Sequence, residues 1–512
     1  MGQKGEGIAS QDIDVEPEKD KDPINVRISL FFDGTLNNRE NIEEREAYEV
    51  GKLGASGTVG HSLYKRNRGD DGNNSYDNGR TNIAVMEPHV EEQADGYDVY
   101  AKHYIAGQGA FTHKKDSVWG YAFGIGKSGV VGRAVEGIDD ALNSIVKSKK
   151  IDTTEHYIKL LTIDVFGFSR GAATARHAIY MLFNRGDSEY DEFNEETIYA
   201  FNPIHELLAD RGYDIKPAAV ELRFAGLYDT VLSYIISQKS DSSNDVLNQT
   251  AVHYAQKALH LAAADEHRSD FPLHNIKCTK GNGGEEYFLP GVHSDIGGSY
   301  NQANELKTGE NGEAEFMRTS DENLVINEGK KKSVLEQDRL DLIEQGWYLD
   351  NEIEVTSIQV KKKRAGKFPY ISINHFLKVN RKNISSAYSN IPLKIMAKYA
   401  RKPEVKLTIS SKLERRAKKI LVTDPKLKKL EGMIAEYIRN NKNSKASDWH
   451  RGNGKPPKGV SKWPSGTNKD FLKTMRHEHF HFSSKPGLGY SPNIEWNEDE
   501  KKYIRVRFEY DA

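Results

Sequence analysis

Tyr157-Ile158-Lys159-Leu160-Leu161-Thr162-Ile163-Asp164-Val165-Phe166-Gly167-Phe168-Ser169-Arg170-Gly171-Ala172-Ala173-Thr174-Ala175 is an apolar run that stops abruptly at a serine between two glycines. The residues up to Phe166 favour a strand. Those from Gly171 onward are small and let a helix begin tight against that strand. Strand, Gly-x-Ser-x-Gly turn and helix together form the pattern of a nucleophile elbow. The serine sits on a strained turn, and the backbone N–H of the next residue, Arg170, faces the place where an oxyanion would form. Ser169 is therefore the candidate nucleophile of a serine hydrolase.

The surrounding pattern is that of an α/β protein. Strands are expected over Ile24–Phe32, Val99–Ala106, Ala219–Gly226 and Glu285–Leu289, with helical spacing over residues 134–147. Strands alternating with helices imply a mainly parallel sheet covered on both faces, an α/β-hydrolase core. Beyond about residue 305 the pattern changes. Leu306–Lys332 reads as a polar surface loop, Ser333–Gln345 as a helix, Ile353–Val360 as a strand and Ile384–Arg439 as mainly helical and basic. Ala446–Gly466 reads as irregular loop, and Tyr503–Tyr510 as a closing strand. The expected organisation is a disordered tail at 1–23, a catalytic core at 24–305, a largely helical accessory region at 306–466 that could face a membrane, and a return to the core at 467–512.

An elbow serine needs a base and an acid to orient that base. Strand Glu221–Tyr228 ends in Asp229, an acid downstream of the serine at a strand end, which suits the orienting role. Two histidines compete for the base. His293 lies in a Gly-rich loop just past a strand, in Pro290-Gly291-Val292-His293-Ser294-Asp295-Ile296-Gly297-Gly298. His481 closes His477-Glu478-His479-Phe480-His481, whose alternation reads as a strand with three histidines on one face, also a conceivable metal patch. No cysteine or paired carboxylate joins that patch at close spacing, so no metal is expected.

Bulk properties narrow the classes. Lys+Arg number 73 and Asp+Glu 75, so no global charge argues for nucleic acid. Cys278 is the only cysteine, which excludes an intrachain disulfide and a thiolate zinc cluster. The first residues lack the apolar core of a secretory signal, and no stretch reaches the roughly 18 apolar residues of a membrane span. The expected origin is the cytoplasm, with any export left to other machinery. Two phosphate-chemistry motifs fail on inspection. Phe31-Phe32-Asp33-Gly34-Thr35 has Phe31 where a dehalogenase-type phosphatase needs its nucleophilic aspartate. Gly124-Ile125-Gly126-Lys127-Ser128-Gly129 has Tyr121 where a Walker loop needs glycine. No cofactor is expected. A basic run, Lys361–Lys382, interleaved with Phe368, Tyr370 and Phe376, reads equally as an anionic-lipid dock or a solvated face. Ile384–Arg401 could touch lipid as an amphipathic helix interrupted by Pro392, or lie in the core.

Phe32-Asp33-Gly34-Thr35, Gly167-Phe168-Ser169-Arg170-Gly171-Ala172, Gly226-Leu227-Tyr228-Asp229-Thr230-Val231 and Pro290–Gly298, with Asp265-Glu266-His267-Arg268 between the last two, occur in one order across residues 26–300. In these segments the chain resembles the DUF2235 family of α/β-hydrolases, which includes phospholipase effectors of bacterial type VI secretion. The resemblance implies Ser169 as nucleophile, Asp229 as acid and His293 as base, with oxyanion donors at Arg170 and Gly34. Tyr228 and Ser299 depart from the residues common in the family at those positions. The accessory half resembles the family only through Arg339–Trp347 and His481-Phe482-Ser483, which keeps His481 open as the base. The implied activity is phospholipase A-type ester hydrolysis by an antibacterial effector delivered to the periplasm of target cells. Implied partners are membrane phospholipid, a secretion-spike or adaptor protein and a cognate immunity protein. The alternatives are a cytoplasmic esterase or thioesterase on soluble substrates, and a non-catalytic lipid-binding scaffold.

Overall fold

The structure is a computed structural model that describes residues 11–12, 21–52, 60–67, 74–91, 96–117, 126–148, 151–152, 154–183, 189–191, 196–199, 204–209, 219–232, 247–300, 319–329, 331–362, 370–440, 469–487, 490–498 and 502–511. Most of the expected N-terminal tail, the Ala446–Gly466 loop and the front of the Gly124–Gly129 motif lie outside the described residues.

Six strands form the central sheet: β1 (Asp22–Phe32), β2 (Val99–Ile105), β3 (His156–Phe168), β4 (Ala219–Tyr228), β5 (Lys257–Ala263) and β6 (Gly284–Leu289). They lie in the order β2-β1-β3-β4-β5-β6, all parallel, and Gln11–Asp12 adds a short antiparallel pairing at the start of β4. Strands covered on both faces need apolar residues on both, and β3 is buried without a break from Leu161 to Phe168. β5 escapes a sequence reading because Lys257-Ala258-Leu259-His260-Leu261-Ala262-Ala263 is rich in helix formers; burial between β4 and β6 overrides that propensity.

Alternate side chains build two cores. On one face, Leu30, Val165 and Ala225 pack with Ala134, Ile138 and Leu142 of helix α1 (Val130–Val146) and with Ala172, Ala175 and Ile179 of helix α2 (Arg170–Phe183). On the other, Phe31 stacks on Phe166 with ring centroids 4.7 Å apart, and Phe166 meets Phe224 at 5.5 Å. That aromatic face is covered by a helix of the accessory half, α5 (Asn390–Ala400), through Leu393, Met396 and Ala397. The amphipathic stretch that could have touched lipid is thus core. Pro392 falls in its first turn, where a missing N–H breaks no helical bond.

The accessory half also departs from expectation in its strands. Part of the expected 306–332 loop is strand β7 (Thr319–Gly329), and most of the basic run is strand β9 (Tyr370–Ser385). β9 pairs antiparallel with β7 and with β8 (Ile353–Lys362), and α4 (Lys332–Gln345) packs on this small sheet. Helices α6 (Ser411–Leu421) and α7 (Pro425–Asn440) continue the same hydrophobic core. Helix α8 (Lys469–His479) stands where His477–His481 read as a strand; histidine alternation is a weak period signal without branched residues beside it.

Arg381, from within the basic run, is fully buried. It donates to the carbonyls of Trp347, Arg476 and Phe480 at 2.8–3.0 Å and pairs with Glu322 at 2.8 Å. Glu322 also accepts from the Phe482 N–H and the Tyr348 hydroxyl. One cation therefore ties β7, β9 and α8 together. Removing one partner of such a pair strands a buried charge, so Arg381→Ala should cost about 3–5 kcal/mol. Chemical denaturation should show that loss, and Arg381→Lys, which lacks the fork that reaches three carbonyls, should recover only part of it.

Candidate active site

β1 and β3 are adjacent, while the chain leaves β1 toward one edge and β3 toward the other. Their carboxyl ends flank a topological switch point, where open α/β sheets place their sites. Ser169 follows β3 directly with φ of 59°, a left-handed conformation that strains a non-glycine residue by about 1–3 kcal/mol. The turn holds because its N–H donates to the Tyr228 carbonyl at 3.0 Å and its carbonyl accepts from Ala172 at 3.0 Å. The flanking glycines answer to close approach. A Cβ on Gly171 would lie 2.2 Å from the Asp33 carbonyl oxygen, and one on Gly167 would lie 2.5 Å from Ala172 Cα. Helix α2 thus starts against β1 and β3 with its N-terminal amides and positive dipole end at Ser169.

Asp229 follows β4, also at positive φ (41°), and is fully buried. Its Oδ1 accepts the Ala263 N–H at 2.7 Å and its Oδ2 lies 2.5 Å from His293 Nδ1. Arg507 lies across both oxygens, at 2.7 and 2.9 Å. Burial alone would raise the carboxyl, but the Arg507 guanidinium and His293 outweigh it and hold Asp229 far below the usual carboxylate range. The group is an anion at any pH at which the protein works.

His293 opens a short helix, α3 (His293–Gly297), after β6. Its ring lies between Phe168 (centroids 4.6 Å apart) and the edge of Phe271 (5.1 Å). Its backbone N–H donates to Glu266 at 3.2 Å. Glu266 also accepts from the His267 and Arg268 N–H groups, the Arg268 guanidinium and the Ser483 hydroxyl. Asp265 accepts the Gly291 N–H at 2.8 Å and the Arg476 guanidinium at 3.0 Å. The acidic pair therefore fixes the loop that presents His293. Burial lowers the His293 pKa, and the hydrogen bond that it donates to Asp229 opposes this without reversing it. A neutral imidazole whose Nδ1–H faces Asp229 leaves Nε2 as the acceptor.

Ser169 Oγ and His293 Nε2 make no hydrogen bond among the described residues. Such a bond often tightens only with substrate in place. Proximity is set instead by Phe168, which precedes Ser169 and packs on His293, and by the Val231 N–H, which donates to the Ser169 carbonyl at 3.4 Å.

His481, the rival base, lies elsewhere. Its Nδ1 is 2.7 Å from Asp295 Oδ1, its N–H donates to Asp295 Oδ2 at 3.1 Å, and its ring stacks on Tyr300. It braces the turn after His293 through Asp295. The three-histidine patch also disperses, with His477 at Glu352 (2.9 Å) and His479 at Asp424 (3.0 Å). Among the described residues, no group of three His, Cys, Asp or Glu side chains is placed to hold a metal.

Gly34, the expected oxyanion donor of the first loop, lies just after β1. Its N–H donates to Asp33 Oδ1 at 2.7 Å and is engaged. The next N–H, of Thr35, makes no hydrogen bond among the described residues, and Thr35 Oγ1 accepts from Arg170 Nε at 2.6 Å, which joins the two halves of the loop. Asp33 is buried beneath them, where the Tyr104 hydroxyl donates to it at 2.5 Å, and burial pushes its pKa up to about 6. Arg507 is the residue that sequence reasoning missed. Nothing in Val506-Arg507-Phe508 marks an arginine whose partner lies 278 residues away.

A mainly parallel sheet with an elbow serine at its switch point and a His–Asp pair beside it is an α/β-hydrolase-type fold. Residues 67–320 match the family described as the catalytic domain of Tle1-like type VI secretion phospholipase effectors. The chain is similar to the solved structure of the Tle1 effector bound to the VgrG spike of the type 6 secretion system. The two are 20% identical, with 95% of this chain and 90% of that one covered at a TM-score of 0.52. An uncharacterized protein from Pseudomonas aeruginosa aligns at 17% identity over 55% of this chain and 42% of its own, at a TM-score of 0.30, too loosely to bear on the fold. No curated protein sequence matches.

If His293 is the base, it must be neutral to act, so activity falls as pH drops through its pKa. Because burial sets that pKa below the ordinary 6.5, the acid limb of kcat/KM on a soluble ester should lie below about pH 6.5. His293→Ala should cost on the order of 10³-fold or more in that assay, whereas His481→Ala should cost far less and show mainly as lost thermal stability.

Proposed function

We propose that this chain is a serine hydrolase that cleaves the acyl esters of glycerophospholipids, a phospholipase A-type effector carried by type VI secretion. The observation that carries the reading is Ser169 at an elbow beside the Asp229–His293 pair, inside the span that matches the phospholipase effector domain.

The chemistry follows from the parts. His293 Nε2 takes the Ser169 proton as Oγ attacks the ester carbonyl. The tetrahedral oxyanion is met by the N–H of Arg170 at the start of α2 and that of Thr35 in the loop after β1, preorganised donors that act without reorganising. The imidazolium then protonates the departing lysophospholipid oxygen. Water, deprotonated by the same imidazole, hydrolyses the acyl-enzyme, fatty acid leaves and Ser169 regains its proton. Asp229 keeps its charge throughout and orients the ring.

The Tle1 structure contains a secretion spike, which supports a spike protein as carrier for this chain too. Delivery to the periplasm of a target cell, where phospholipid is within reach, and a cognate immunity protein in the producer complete the proposal. The soluble-ester alternative differs in one respect: its rate would not depend on a bilayer.

Lysolipid and fatty-acid release from mixed phospholipid vesicles, followed by mass spectrometry, tests the reading. Ser169→Ala, folded to the same thermal stability, should reduce release by at least about 10³-fold, and the lysolipid isomer names the ester cut. Equal release from both proteins, or turnover of soluble esters alone, would overturn it.

A further inference from the structure

Arg507 lies in the segment 502–511, between the strand Lys502–Val506 and a short pairing of Glu509–Tyr510 with Leu273–His274. Its guanidinium is almost wholly buried and every nitrogen is used. Nε donates to the Phe271 carbonyl at 2.8 Å, and the two terminal nitrogens meet the two Asp229 oxygens, one of them also within 3.3 Å of the Ala263 carbonyl. A triad acid needs one donor from histidine and one or two backbone amides. Here it also carries a bidentate cation from a distant part of the chain, the strongest and most directional pairing a carboxylate can have.

We propose, resting on the hydrolase reading above, that Arg507 is a positioning residue of the triad: it fixes the plane of the Asp229 carboxylate and keeps it charged in full burial, so that the site is complete only when the 502–511 segment is docked.

The arrangement has two opposed effects. The fork locks Asp229 so that Oδ2 addresses His293 Nδ1, which sets the tautomer that leaves Nε2 facing the serine. The same positive charge offsets part of the Asp229 field, which makes the imidazolium less stable and the base weaker. The other charged groups facing the pair are Glu266 and Arg268 beside His293, which compensate each other, and His260 on the strand behind Asp229, held by Glu286 at 2.7 Å. Of these surrounding charged groups, among the described residues, Arg507 is the one that contacts the carboxylate, so its loss should shift the balance in a predictable direction.

Two variants and a control separate this role from simple docking. In Arg507→Gln the pair should take up its proton at higher pH, so the His293 titration and the acid limb of kcat/KM both move upward, and kcat/KM above the limb should fall about 10- to 100-fold through lost aim. Arg507→Lys keeps the charge without the fork: the midpoint should stay near wild type while kcat/KM still falls. Tyr510→Ala, which removes a stacking contact with His274 but leaves Arg507 intact, should lower thermal stability and leave the midpoint and the rate per folded molecule near wild type. The titration is read by NMR of Cε1-labelled histidine, with the His293 signal assigned from His293→Gln, and needs no turnover. Absence of Ser169-dependent turnover in the wild type would sink the hydrolase reading alone. An unmoved His293 midpoint in folded Arg507→Gln, or identical behaviour of Arg507→Gln and Tyr510→Ala, would overturn the role of Arg507.

Discussion

A carboxylate with no exposed surface cannot stay charged unless donors replace the water it has lost, and Asp229 has gathered four from three separate parts of the chain. The Ala263 amide comes from the end of β5, the imidazole from the turn after β6, and two nitrogens from Arg507 near the end of the described chain. Each element would otherwise be free to settle by packing alone. The shared anion gives them one geometry, because a donor that drifts leaves a buried charge short of a partner. Backbone enforces the same point from below: Asp229 donates to the Leu261 carbonyl at 2.8 Å and accepts the strain of a positive φ. The strained residues at the candidate site, Ser169 and Asp229, are thus the ones the surroundings hold most firmly.

The elbow poses a complementary constraint of space rather than charge. Helix α2 can start against the sheet only where side chains are absent or small, which is why Gly167, Gly171, Ala172 and Ala173 cluster there. The close approach sets Arg170 beside the loop after β1. Its side chain reaches Thr35 across the gap, so a steric requirement of the helix also becomes the means of holding that loop. Asp33 acts under that loop as an internal acceptor. It takes the Gly34 amide, while the Thr35 amide makes no hydrogen bond among the described residues.

What could be read from the sequence divides along the same physical lines. The elbow and the strand ends at Asp229 and His293 were legible because they depend on local pattern: apolar runs, glycines and a polar residue at the boundary. The different carboxylates of His293 and His481 were not, since both histidines follow apolar segments and only tertiary placement gives one Asp229 and the other Asp295. β5 hid behind helix-forming residues, and β9 behind its lysines, because a strand's inward face needs only Leu377, Val379 and a paired Arg381 to be buried. The three histidines near 480 looked like one surface and belong to three different carboxylates. Arg507 was invisible for a deeper reason: its meaning lies wholly in a contact with no local signature.

The long-range contacts also change what counts as the catalytic unit. The span that matches the effector family begins at residue 67, yet β1, Asp22–Phe32, lies between β2 and β3 in the sheet and carries Asp33 and Gly34 at its end. The same span ends at residue 320, before α5, which covers the Phe31, Phe166 and Phe224 face, and before Arg507. A piece cut to those limits would lack an inner strand and with it Phe31, expose Phe166 and Phe224 to water and leave Asp229 without its guanidinium. Burying that face is worth on the order of 1.5–3 kcal/mol per large side chain, comparable for a few residues to the whole margin of a folded domain. Part of the region read as an accessory, helix α5, therefore covers one face of the central sheet, and the surroundings of Ser169 and Asp229 draw on residues from both ends of the described chain.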